Sequence, residues 1–132
     1  MFSHVMIGAD DVEKAKAFYD KVLGTLGIPP GQLATHPDGR RRANYRTPTG
    51  VFALTQPLNR KPTTTANGFT LGFAASSPEQ VKAWHDAGVS AGGTSIEDPP
   101  GVRQGAAGQM YLAYLRDPDG NKVVAVHRMP TG

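Results

Sequence analysis

YRTPTG, residues 45–50, has an echo near the other end of the chain in LRDPDG, residues 115–120. Each holds a Pro-x-Gly step, Pro48-Thr49-Gly50 and Pro118-Asp119-Gly120, which is turn chemistry. Strand-like runs flank each turn: Ala43–Thr47 and Val51–Gln56 in the first copy, Met110–Leu115 and Lys122–His127 in the second. A third short run precedes each pair, near Gln32–His36 and Thr94–Glu97. A hairpin that occurs twice suggests that the larger unit around it is also duplicated.

Working outward supports this. Met1 to Gly8 reads as a strand with Phe2, Val5, Met6 and Ile7 apolar. Asp10, with Glu13 three residues on, reads as the cap of a helix. Val12, Ala15, Phe18, Tyr19, Val22, Leu23 and Leu26 then recur at helical spacing before Gly27-Ile28-Pro29-Pro30 stops it. In the second copy Phe69–Ala75 is the strand, and Ser77-Pro78-Glu79-Gln80 combines a cap, a first-turn proline and a capping-box glutamine. Val81, Trp84 and Ala87 make the apolar face, and Gly88 is expected to close the helix in a left-handed conformation. At an offset of 66, Phe18 falls on Trp84 and His4 on Thr70. The fold class is therefore α+β, with two βαβββ modules forming a curved mixed sheet around a cavity. One domain spans 1–132: module one at 1–60, a linker at about 57–67, and module two at 68–132.

Bulk properties set outer limits on function. The chain has 132 residues, a formal net charge of +3, 19% charged residues and no cysteine. That excludes disulfides, a thiolate nucleophile and a cysteine metal cluster. The charge is mild and only Arg40-Arg41-Arg42 cluster, so neither nucleic acid nor a membrane surface is an expected partner. No apolar run approaches the length of a bilayer span, and Met1-Phe2-Ser3-His4 lacks the basic start of a signal peptide. The expected location is the cytoplasm. No P-loop, dinucleotide fingerprint or Gly-x-Ser-x-Gly elbow is present.

The opening strand with His4, the helix carrying Phe18-Tyr19-Asp20-x-Val22-Leu23-Gly24, and the turn Arg116-Asp117-Pro118-Asp119-Gly120-Asn121 resemble, over essentially the whole chain, the vicinal oxygen chelate superfamily. This is the glyoxalase, bleomycin-resistance and extradiol dioxygenase group. The resemblance implies metal ligands on the first and last strands of each module. Carried over, those positions are His4, Leu54 (Ala53 if the register slips by one), Thr70 and Val124. Only His4 matches, because the expected Glu after Asn121 is Val124 and valine cannot coordinate a metal. The expectation is a small-molecule cavity without the usual metal site, binding or sequestering a small, partly apolar compound. The alternative is a metal-dependent lyase or isomerase of the lactoylglutathione lyase kind, or a dioxygenase, with substitute ligands. Whether the protein is an enzyme stays open. No cofactor is expected, with a divalent metal on His4 as the alternative, and the resemblance implies a homodimer.

Among single residues, His4 shares a strand face with Met6 and Gly8, opposite Val5 and Ile7. It reads as a cavity-facing acid–base or hydrogen-bonding group, or as a structural imidazole. Tyr111 and Tyr114 lie on opposite faces of one strand, and parity alone does not say which lines the cavity. Gln56 and Thr70 complete the candidate substrate contacts. His127 alternates away from Val124 and so away from the cavity, while His85 and His36 read as exposed surface residues. Arg40–Arg42 read as a solvated hairpin, with an anion clamp at the cavity mouth as the sharper alternative. Residues 98–108 read as a long flexible segment that gates the cavity or is simply mobile.

Overall fold

The computed structural model describes residues 1–130, and within them each half is a β-α-β-β-β unit. The first contains β1 (His4–Gly8), α1 (Val12–Gly24), β2 (Gln32–Thr35), β3 (Arg41–Thr47) and β4 (Gly50–Thr55). The second contains β5 (Leu71–Ala74), α2 (Pro78–Ser90), β6 (Thr94–Gly105), β7 (Gly108–Arg116) and β8 (Lys122–Arg128). The strand orders are β1-β4-β3-β2 and β5-β8-β7-β6, with β1 parallel to β4, β5 parallel to β8, and the remaining neighbours antiparallel. Equivalent positions occupy equivalent places, so the repeat read from the sequence is a structural repeat. The sheets stay separate and unclosed, and the two modules join through their helix layer.

Alternation builds that layer. Ile7, Ala43, Tyr45, Phe52 and Leu54 of the first sheet face α1, and Ala113, Leu115, Val123 and Ala125 of the second face α2. The α1 stripe of Val12, Ala15, Phe18, Tyr19, Val22 and Leu23 is buried throughout, as are Val81, Trp84 and Gly88 of α2. Removing such an apolar side chain costs about 2–5 kcal/mol. The helices cross where Val22 meets Gly88, which are counterparts at the offset of 66. A methyl group on Gly88 would overlap Leu115 Cδ1 and approach Val22 Cγ1 to 3.3 Å. Gly88 is thus a packing requirement inside α2, and Gly92, at φ +100°, takes the left-handed position beyond the helix end. The expectation that Gly88 ends the helix is corrected: the helix runs on to Ser90, and the left-handed glycine stands four residues later than expected.

The α1 cap is also displaced by one. Asp11 accepts from Lys14 N–H at 3.0 Å, while Asp10 accepts from Thr63 N–H at 2.6 Å and its own N–H donates to Asp119 Oδ1 at 3.1 Å. Asp10 therefore ties linker and second module to the helix entrance. Segment 98–108 is no open loop either. β6 runs through it to Gly105, with a register break between Ile96 and Gly101 and Glu97 at φ 59°.

The two motif halves meet in one buried knot. Asp117, 4% exposed, accepts hydrogen bonds from Tyr19 OH (2.6 Å), Asn121 N–H (2.9 Å), Asn121 Nδ2 (3.0 Å) and Asp119 N–H (3.0 Å). Asn121 Nδ2 also donates to Gly8 O at 3.2 Å. The Phe-Tyr helix and the Asp-Pro-Asp-Gly-Asn turn are therefore one latch between modules. Burial and the adjacent Asp117 carboxylate push the Tyr19 hydroxyl well above its ordinary pKa.

Candidate functional site

With the helices on one side of each sheet, the opposite faces are left for function. On the first sheet the pairing sets three rows across β1, β4 and β3: His4–Val51–Arg46, Met6–Ala53–Asn44 and Gly8–Thr55–Arg42. Row neighbours are about 4.8 Å apart and successive rows about 6.7 Å apart. His4 is exposed, and its Nδ1 lies 2.9 Å from Ser3 Oγ. Ser3, His4, Met6, Asn44, Arg46 and Ala53 bound a shallow hollow of about 250 Å³ over Val51.

On the second sheet the open face carries Leu112, Tyr114, Val124 and Val126. Tyr114 therefore faces outward, with Lys122 Nζ 4.6 Å from its ring centroid. Lys122 continues to Glu97 at 2.6 Å, so the β6 bulge is tethered across that face. Arg103 supports the bulge by donating to the carbonyls of Asp98 (3.1 Å) and Pro99 (2.9 Å). Tyr111 points the other way, to the helix side, against the core and below Lys82. Parity separated the two tyrosines; only the packed helix says which face is which.

Thr70 is exposed beside the 117–120 turn, in a polar hollow of about 530 Å³ away from His4. The Gln56 amide is committed to the backbone, accepting from Arg41 N–H at 2.8 Å and donating to Asp10 O at 3.4 Å. His127 turns to the helix side and bonds Ala75 O at 3.2 Å. His85 is less exposed than expected: its side chain is 13% exposed and Nε2 lies 2.8 Å from Ser95 Oγ.

The arginine run divides by parity. Arg40 is 7% exposed, pairs with Asp38 at 2.7 Å and reaches Gln56 O at 3.4 Å. These contacts hold the Asp38 carboxyl well below the ordinary range, first through the Arg40 N–H. Arg41 bonds Glu13 at 2.9 Å and Thr35 at 2.8 Å. Arg42 alone of the three lies on the open face. Sequence reasoning left out Asn44 and Arg46, although their alternation with Ala43 and Tyr45 was the signal.

A further hollow of about 350 Å³ separates the modules, between residues 2–5, the end of α1 and β5. Its walls are largely apolar, with Leu23, Leu26, Ile28, Phe52 and Phe73 contributing. Nearby, Asp20 accepts from Lys16 Nζ (2.6 Å), Tyr45 OH (2.8 Å) and Gly31 N–H (2.9 Å). Burial alone would raise the Asp20 pKa, and those hydrogen bonds outweigh it and lower it. Burial first, then the hydrogen bond to Asp20 and the Asp20 charge, raises the Tyr45 hydroxyl pKa.

The metal-ligand positions can now be placed. Leu54 is buried toward α1, so the outward position on β4 is Ala53, the register that differs by one. Around His4 stand a valine, an alanine, a methionine, an asparagine and an arginine. Val124 belongs to the other sheet, and Thr70 stands just before β5 rather than on a strand. A divalent ion needs several imidazole or carboxylate donors at about 2.0–2.6 Å, and a neighbouring guanidinium opposes it. These residues do not fit the metal that the fold family implies, and no group of three His, Cys, Asp or Glu suited to a metal occurs among the described residues.

Two separately sheeted βαβββ modules, latched by a shared motif and leaving open sheet faces, define the fold class. The sequence matches the Glyoxalase/Bleomycin resistance protein/Dioxygenase superfamily over residues 1–125, and the chain belongs to that family. It is 58% identical to a glyoxalase/bleomycin resistance protein from Albidiferax ferrireducens T118, covering 97% of this chain and 99% of that one with a TM-score of 0.89. A glyoxalase/bleomycin resistance protein/dioxygenase family enzyme from Burkholderia phytofirmans PsJN shares the fold at 22% identity and TM-score 0.71, with 96% and 98% of the two chains covered. A lactoylglutathione lyase from Agrobacterium tumefaciens shares it at 20% identity and TM-score 0.63, with 96% and 92% covered. No curated protein matches the sequence.

Proposed function

We propose that this family member binds or sequesters a small, partly apolar compound and works without the metal set of the family's lyases and dioxygenases. The observation that carries the reading is the donor set: of the positions carried over from the family, His4 supplies the one imidazole, beside Arg46 and Asn44, while Ala53, Thr70 and Val124 supply no metal ligand of comparable strength. His4 remains the group suited to hydrogen bonding or proton transfer with a ligand, and its exposed ring meets that need. Tyr114 and Val126 offer an apolar surface with one hydroxyl, over the buried Leu112 and Val124. Tyr111 and Gln56 are left out of this assignment, since one faces the helix and the other is bonded to backbone.

Support for a homodimer comes from the sheet edges. β1 and β5 each pair on one side only, and an open strand edge favours pairing with another chain. No helix among the described residues is long and apolar enough to cross a membrane, which agrees with the cytoplasmic location proposed here. The test is elemental analysis of the purified protein with and without chelator, alongside a thermal-shift screen of small aromatic and aliphatic compounds. The expected result is sub-stoichiometric metal and saturable stabilisation by at least one compound. A near-stoichiometric, chelator-resistant divalent ion would overturn the reading in favour of a metal-dependent lyase or dioxygenase. Light scattering on a sizing column tests the dimer.

A further inference from the structure

Arg42 and Arg46 set the first sheet apart. Every other arginine among the described residues has at least one hydrogen-bond or ion-pair partner; Arg42 and Arg46 have none. Arg42 Nε is also shut off from solvent while lacking an acceptor. A guanidinium nitrogen deprived of both water and protein acceptors is energetically costly, and an anion relieves it through charge-assisted bonds. The open face offers no internal remedy. Its positions on β1, β4, β3 and β2 are His4, Met6, Gly8, Val51, Ala53, Thr55, Arg42, Asn44, Arg46, Gln32 and Ala34, with no carboxylate among them.

Four residues apart on one strand, the two arginine Cα atoms stand about 13 Å apart. Arginine side chains are long enough to lean together over Asn44 between them. Arg46 and Asn44 border the same hollow as His4 and Ser3, so donors surround its polar side, while Met6, Val51 and Ala53 form an apolar side. We propose that this face is an oxyanion-binding site, and that the ligand carries a carboxylate or phosphate held by Arg42 and Arg46, with Asn44 and His4 as further donors. The inference rests on the small-molecule reading above and narrows it to an anionic ligand class. It also explains why a cation fits this face poorly: the charge already present has the same sign.

The test uses the full chain at low ionic strength with four probes: benzoate, phenyl phosphate, inorganic phosphate and the neutral benzyl alcohol. Titrations followed by thermal shift and by the arginine Nε–H NMR signals should show the anions binding at least tenfold more tightly than benzyl alcohol. Affinity should fall as salt rises, and the Arg42 and Arg46 signals should move. The ranking of benzoate against phenyl phosphate identifies the preferred head group, and inorganic phosphate reports how much the aromatic body adds. Arg42→Met and Arg46→Met should each reduce anion affinity about tenfold or more and leave benzyl alcohol unchanged, while Lys21→Met, at an exposed cation on α1, retains wild-type binding. Arg46 is exposed, so its variant keeps the test decisive if Arg42→Met folds poorly. Equal affinity for benzoate and benzyl alcohol would overturn the anion assignment and leave the small-molecule reading intact. Absence of saturable binding by all four would overturn the assignment, and the screen described above then decides the broader reading separately. A change in oligomeric state in both variants, with anion binding retained, would instead assign the arginines to a subunit contact.

Discussion

On the first sheet the open face carries Arg42, Asn44, Arg46 and His4, with the linker's Thr63 packed against Gly8 at one end; on the second it carries Leu112, Tyr114, Val124 and Val126 beneath the Glu97–Lys122 tether. Strand order, helix placement and turn position are the same in both modules. The helix side must exclude water in each, so it is apolar in each. The outer side has no such duty. One module has an ionic face with unspent donors and the other an apolar face with a cover.

The hairpin turns repeat the contrast on a smaller scale. In the first module Thr47 Oγ1 makes local contacts with Thr49 N–H (3.3 Å) and Gly50 O (3.2 Å) near the surface. In the second, Asp117 is buried and bonds Tyr19 from the other module. The strongest way to break the comparison is to remove each in turn. Asp117→Ala strands the Tyr19 hydroxyl and the Asn121 amide, and should cost about 3 kcal/mol or more in urea unfolding. Thr47→Ala should cost about 1 kcal/mol or less; equal losses would mean that the latch is no more than a turn.

A somewhat smaller effect is expected at the helix crossing. Gly88→Ala gains helix propensity, but its methyl meets Leu115 in a packed core. The net result should be a destabilisation of about 1–3 kcal/mol, read as a lower denaturation midpoint with an unchanged slope. Stabilisation would show that the crossing has slack. Smaller still is the tether. Glu97→Gln breaks an ion pair whose members are 49% and 26% exposed, so the cost should be below about 1 kcal/mol. Tyr114 fluorescence quenching by iodide should nonetheless increase if the bulge covers that face.

The smallest effect lies in the pH dependence, where one carboxylate from each module has the opposite sign. Asp20 is depressed in the fold, so its contribution is present above the ordinary carboxylate pKa and is lost as pH falls through the folded value. Burial, together with the Asp117 and Asp10 charges, raises Asp119 despite the Asp10 N–H. Its contribution is therefore present in acid and lost as pH rises through the folded value. In melting curves from pH 3 to 7, Asp20→Asn should show its deficit mainly at neutral pH. Asp119→Asn should gain relative to wild type over the same interval. Parallel profiles for the two variants would remove the distinction.

Much of this was legible in residue order. The twofold hairpin, the helix stripes and the Ser77 cap with Pro78 are short-range signals, and they appear where alternation and helical periodicity put them. Misplaced details lay where neighbours compete for one role. Asp10 and Asp11 are both capping residues by type, and the linker's Thr63 N–H occupies Asp10. Gly88 and Gly92 both suit a helix end, and the Val22 side of α1 needs Gly88. The 98–108 stretch looked structureless because its prolines and glycines are weak strand formers, yet pairing with β7 overrides them.

The sequence by itself determined the repeat, the two-module α+β class and which residues share a face, because these follow from periodicities of two and 3.6 residues, and the family resemblance added the mismatch at the ligand positions. Only the tertiary structure decided which face is outward, that Tyr114 and not Tyr111 is on it, that Ala53 rather than Leu54 stands near His4, and that Arg42 and Arg46 have no partner among the described residues. Those facts depend on contacts between segments up to a hundred or so residues apart, and a side chain's partners are set by what the rest of the chain brings to it.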